Sequence, residues 1–192
     1  MRTIIALVIL SGALCVVPGS LVSAAETISD DLIAQELERA TTDPDSEVLF
    51  YVEAPINEVF DFLVSRLADF SADVSSASFN HSASLSPGQL GVGSDRIVNL
   101  DDGKMLVHQF LSVNRPDSFA YLTDMERSTA DIPIDYSIVY YRLTANGDSQ
   151  TIMNVTAVYK SSSSLLSMFV RRAFNSALEA DFSKATEILG AE

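Results

Sequence analysis

Few residues of this chain could do covalent or metal chemistry. It has two histidines, His81 and His108, and a single cysteine, Cys15, which sits inside an apolar N-terminal run. Nucleophilic catalysis needs a nucleophile with a base at hand, and no G-x-S-x-G turn occurs. A zinc site is equally unsupported: there is no H-E-x-x-H, no histidine pair at ligand spacing and no cysteine pair. Neither metal nor cofactor is therefore expected, and no catalytic residues are assigned. Asp101-Asp102-Gly103 has the opening of a calcium loop without the ligands that should follow, and reads as a hairpin turn. Gly91-x-Gly93 does not sit between a strand and a helix, so it reads as a bulge or tight strand entrance, not a phosphate loop.

What remains is a handful of polar groups on strand-like segments. Arg96 suits either a salt bridge to one of the many acids or a contact with a ligand's carboxylate or hydroxyl. His108 shares one strand face with Leu106 and Phe110, while Val107 and Leu111 share the other. Both faces are apolar, so alternation does not decide whether His108 is a surface, core or pocket residue. Tyr121 falls in the set Phe119, Tyr121, Thr123, Met125, opposite Asp124 and Glu126. Tyr159 falls in the set Met153, Val155, Ala157, Tyr159, opposite Asn154 and Thr156. These apolar sets are expected to face inward, bringing two hydroxyls into a hydrophobic site; ordinary core packing is the competing reading.

The elements that must position these groups follow from periodicity and turn signals. Residues 1–24 read as a signal peptide: Arg2, an apolar run from Thr3 to Val17, then Pro18-Gly19 and Val22-Ser23-Ala24 before a cleavage point. The run is shorter than the roughly 20 residues a spanning helix needs, so no stable membrane anchor is expected after cleavage, and the mature chain is expected outside the cytoplasm. Removing it also removes the only thiol. Residues 25–47 form a polar leader in which Ile28, Leu32, Ile33 and Leu37 suggest a short, loosely docked helix. From Val48 onward the pattern is a strand (Val48–Glu53), helical spacing from Ile56 to Phe70 that splits near Ser65, and then six β-rich runs. Those runs are Ala72–Leu85, Ser94–Leu100, Lys104–Val113, Ser118–Arg127, Asp135–Thr144 and Gln150–Lys160. Pro87-Gly88, Asn114-Arg115-Pro116-Asp117 and Asn146-Gly147-Asp148 separate some of them as turns. The chain closes on a helix of about 26 residues, whose stripe Leu166, Phe169, Val170, Ala173, Phe174, Ala177, Leu178, Phe182, Ala185, Leu189 is apolar.

An antiparallel meander wrapped on one long helix leaves a tunnel between them. Its expected lining is Arg96, His108, Phe119, Tyr121, Met125, Met153, Val155, Tyr159, Phe169, Ala173 and Phe174. The net charge of −14, from 26 acids and 12 bases, disfavours a nucleic-acid partner, which needs a basic face, and equally disfavours docking on anionic lipid, so no nucleic acid is expected.

In order and spacing the segments V-E-A-P-I-N-E-V-F-D-F-L (Val52–Leu63), G-V-G-S-D-R (Gly91–Arg96), N-R-P-D with S-F-A-Y (Asn114–Tyr121) and T-I-M-N-V-T-A-V-Y (Thr151–Tyr159) resemble the START/Bet v 1-like superfamily. Also called SRPBCC or helix-grip, it includes a polyketide cyclase/dehydratase-like branch, to which the likeness is greatest. The resemblance implies an α+β helix-grip fold, a curved seven-stranded antiparallel sheet around the C-terminal helix with two short helices after the first strand. It also implies a cavity for a hydrophobic small molecule or lipid. Many relatives carry tryptophan in the first hairpin and last strand, and this chain has none. A carrier is the leading expectation, with a cyclase or dehydratase and a protein-partner module as alternatives.

Overall fold

The computed structural model describes residues 28–163 and 167–191. The apolar N-terminal run and its expected cleavage point lie outside them.

The first helix, α1 (Asp30–Thr42), starts at Ser29, whose side chain accepts from the Leu32 amide at 3.3 Å, with Asp30 and Asp31 in the first turn. A hydroxyl cap and early acids satisfy and complement the positive end of a helix. The helix is firmly docked, not loose. Leu32, Ile33, Leu37 and Ala40 pack on Leu122, Tyr136, Ile138 and Val158, so α1 covers the outer face of the sheet. Arg39 fastens it by bonding Glu36 and Asp45, each at 2.9 Å.

Strand β1 (Ser46–Val52) leads into α2 (Ile56–Ser65) and α3 (Leu67–Phe70), which break apart at Arg66. Six strands follow: β2 (Val74–Asn80), β3 (Asp95–Leu100), β4 (Met105–Asn114), β5 (Ser118–Asp124), β6 (Ile134–Ala145) and β7 (Thr151–Ser161). All pair antiparallel in one sheet of order β1-β7-β6-β5-β4-β3-β2, a meander whose last long strand returns to β1. The stretch 81–94 expected partly as strand is instead a turn-rich loop. It closes at Gly93, where φ is +85° and an added Cβ would sit 2.3 Å from the Ala83 carbonyl oxygen, so glycine alone fits.

The last helix, α4 (Ser167–Leu189), is buried mainly along its second half. Phe182, Ala185 and Leu189 enter the core, whereas Met168 and Phe169 are 78% and 72% exposed. Phe182 reaches Phe70 and Tyr141, at 5.9 and 5.7 Å between ring centres, and Tyr141 stacks on Phe119 at 4.2 Å. Phe60 meets Phe119 edge-on at 5.5 Å. At this end the expected tunnel is filled by rings. Open grooves of about 410 and 370 Å³ lie elsewhere, one on the flank of α4 by Met168, Arg171 and Asn175, the other by Asp61, Phe62 and Leu189.

Candidate functional site

The strand registers align six residues in one cross-sheet row. Phe79 pairs with Arg96, Arg96 with His108, His108 with Thr123, Thr123 with Ser137 and Ser137 with Tyr159. Directly opposed residues of antiparallel strands share a face, so the row crosses the concave side of the sheet. Its flanks are apolar or aromatic: Ala77, Val98 and Leu106 on one side, Phe110, Tyr121, Val139 and Ala157 on the other. A polar line thus runs through a greasy surface.

Arg96 has 0% exposure. Its Nη1 donates to the carbonyls of Leu63 and Val64 at 3.3 and 3.2 Å. Those carbonyls close α2, where a helix leaves acceptors unpaired and its dipole is negative. Nη2 donates to His108 Nδ1 at 3.1 Å, and the guanidinium lies 4.9 Å over the Tyr121 ring. Nε is buried with no partner. All these acceptors are neutral, so the acid expected as one possible partner is absent; Asp95, beside it in sequence, instead receives Arg127 at 2.8 and 3.0 Å.

His108 is 6% exposed and lies flat on Tyr121, ring centres 4.3 Å apart. A guanidinium has only N–H groups to offer, so Nδ1 is the acceptor and the proton resides on Nε2. Burial, followed by the Arg96 charge, holds the His108 pKa well below the usual imidazole value. Burial, with the Tyr121 hydroxyl next to it, pushes Tyr141 well above the usual phenol value. Both groups are neutral near pH 7. Further along, Ser137 Oγ donates to Thr123 Oγ1 at 3.0 Å, and Tyr159 stacks on Phe174 of α4 at 5.0 Å.

A general base needs a free lone pair and a pKa near the working pH. The accepting nitrogen of His108 is occupied, and its basicity is depressed. The Arg96–His108 cluster therefore offers donors, the Nε–H of Arg96 and the Nε2–H of His108, a set suited to holding an oxygen acceptor.

Of the residues expected at the site, Arg96, His108, Phe119, Tyr121, Met153, Val155, Tyr159 and Phe174 gather on the concave side or against it. Three do not. Met125 lies beyond the end of β5, in a turn held by Asp124, whose carboxylate accepts from the Arg127 amide at 3.1 Å. Phe169 and Ala173 are exposed, because in these turns it is Val170, at 6% exposure, and Phe174, stacked on Tyr159, that face the protein. Tyr141 and Ser137 were not foreseen; the alternation Ser137, Val139, Tyr141, Leu143 along β6 carries the signal. His81 is outside the row, bonded to Ser94 Oγ at 2.9 Å. Among the described residues no group of three or more His, Cys, Asp or Glu side chains is placed to hold a metal ion. Among them, too, no helix is long and apolar enough to cross a membrane.

No family model and no curated protein matches the sequence. Solved structures do match the fold. A START superfamily protein from Mycobacterium smegmatis superposes with a TM-score of 0.59 at 7% identity, covering 74% of this chain and 94% of the other. Ara h 8.0201 gives 0.56 at 15% identity, with 76% and 97% covered. A point mutant of norcoclaurine synthase from Thalictrum flavum, in complex with a transition state analogue, gives 0.53 at 13%, with 74% and 91% covered. The chain therefore has the START/Bet v 1-like helix-grip fold.

Proposed function

We propose that this protein is an exported carrier that reversibly binds a hydrophobic small molecule or lipid between the concave sheet face and α4. The observation behind this reading is the polar row from Arg96 to Tyr159 across an otherwise apolar face. Hydrophobic ligand sites combine apolar walls with a few placed polar groups that orient the ligand. The row ends under Phe174, next to the part of α4 that is least buried. Admission there would leave the ring-packed end around Phe182 intact. Export is proposed from the signal-like start of the sequence, and no membrane anchor is proposed to remain after its cleavage. Native mass spectrometry of protein purified from its own host tests the reading. The expected result is a bound compound that denaturation releases unchanged. A ligand-free mass, together with failure to take up the neutral dye Nile red, would overturn it.

A second reading is a cyclase or dehydratase. Its support is the same donor cluster, since N–H groups that hold a ligand's oxygen also suit the oxygen of an enolate. Release of an altered compound after incubation would favour it.

A further inference from the structure

We infer that the ligand carries a carboxylate, seated on the unused hydrogens of the Arg96 guanidinium at the inner end of the polar row. The inference rests on the concave face being the binding site proposed above. It begins with a count of donors. A guanidinium has five N–H groups. Nη1 donates to the Leu63 and Val64 carbonyls, and Nη2 makes a single contact, to His108. Nε–H is buried without a partner, and one hydrogen on Nη2 remains. These two free donors match the two oxygens of a carboxylate.

Charge points the same way. Burying a cation is costly unless it is paired. The negative end of α2 compensates only part of a unit charge, and no carboxylate is among the Arg96 hydrogen-bond partners. His108 adds none, being neutral. In a chain with 26 acidic residues, a fully buried arginine bonded to no acid is a place kept for an anion from outside. A purely structural arginine capping α2 would need only its Nη1 contacts and would gain from an internal acid.

The test compares decanoate, decan-1-ol and methyl decanoate at pH 8, where the acid is ionised, by displacement of Nile red from the full mature protein. Decanoate is expected to bind at least roughly tenfold more tightly than the two neutral molecules, the difference that one charge-assisted contact brings. Arg96→Gln should abolish that preference, weakening decanoate binding at least roughly tenfold more than decan-1-ol binding. Because Arg96 also caps α2, a measurement on the unaltered protein stands beside the variant. Its Nε–Hε resonance, observed by ¹⁵N–¹H NMR, should shift on adding decanoate and stay still with decan-1-ol. Equal binding of acid and alcohol would overturn the carboxylate inference and leave the hydrophobic site standing. Preference for decanoate with an unmoved Nε signal would overturn it as well, placing the anion elsewhere. Failure of all three molecules and of the dye to bind would bring down the carrier reading itself.

Discussion

Arg96 donates to Nδ1 of His108 at 3.1 Å across the β3–β4 register, which locks a permanent cation to an imidazole inside the sheet. The contact fixes the histidine tautomer and makes a second positive charge costly there. It also leaves the buried Nε–H of the guanidinium without a partner. Structure and proposed ligand chemistry meet at this pair.

Acid should destabilise the protein through His108. Its folded pKa lies well below the ordinary value, because burial and then Arg96 oppose protonation. The unfolded chain titrates near 6.5, so below that pH the unfolded state binds the extra proton and stability falls as pH falls. The slope approaches about 1.4 kcal/mol per pH unit for one proton. Above pH 7 the contribution is flat. Urea denaturation at pH 7.5, 6.5 and 5.5 checks this. His108→Gln, whose amide oxygen can still accept from Arg96, should flatten the profile between 6.5 and 5.5. Parallel profiles for variant and wild type would mean that His108 is not held neutral.

Phe182 and Phe169 of α4 should respond unequally to truncation. Phe182 is 2% exposed and touches Phe50, Phe70 and Tyr141, so Phe182→Ala opens a cavity in the ring cluster. Such truncations cost about 3–5 kcal/mol. Phe169, at 72% exposure, should tolerate alanine within about 0.5 kcal/mol. Chemical denaturation of both variants measures the contrast. A large loss at Phe169 would show that this half of the helix is packed in solution.

The fold was legible because its turns are written in residue types that few other conformations accept. Asp101-Asp102-Gly103 and Asn146-Gly147 fall where β3 meets β4 and β6 meets β7, with Gly103 and Gly147 at φ +83°. The orientation of His108 was not legible, for a physical reason. Alternation identifies an inner face only when the outer face is wet. Here α1 covers the outer face, so Leu111, Leu122, Ile138 and Val158 are apolar there too. The overreach at Phe169 and Ala173 has a related cause. A helix's apolar stripe can be wider than the side that packs: Val170 and Phe174 turn inward, and Phe169 and Ala173, each one position earlier, do not. Arg96 was read as either ion pair or ligand group, and which one depends on where Leu63 and Val64 end their helix, a long-range relation that strand periodicity does not contain.

Detaching α1 should be visible at Tyr136. Burial, first of all, and the nearby Glu36 push its pKa up to about 12. Ala40 has 0% exposure against the same patch, so Ala40→Asp places a charge in the interface. The variant should release the helix and let one tyrosine titrate closer to pH 10, read as phenolate absorbance at 295 nm. Amide exchange should rise in residues 30–42 and stay slow in β5, β6 and β7. An unchanged titration would mean that α1 does not shield Tyr136 in solution.

The Thr123–Ser137 pair separates the structural from the recognition role of the polar row. Ser137 Oγ donates to Thr123 Oγ1 at 3.0 Å, and the two residues are 1% and 5% exposed. Removing one partner strands the other without a hydrogen bond, so Thr123→Val and Ser137→Ala should each cost about 1–3 kcal/mol. Replacing both removes the polar pair together, which leaves nothing unsatisfied and can approach neutrality. The double variant should therefore cost clearly less than the two single losses combined, a coupling that denaturant midpoints will measure. If the row orients ligand oxygen, this well-folded double variant should bind decan-1-ol more weakly than wild type and keep its preference for decanoate, because Arg96 is untouched. Additive losses would mean that each hydroxyl has another partner. Unchanged alcohol binding would confine recognition to the Arg96 end of the row.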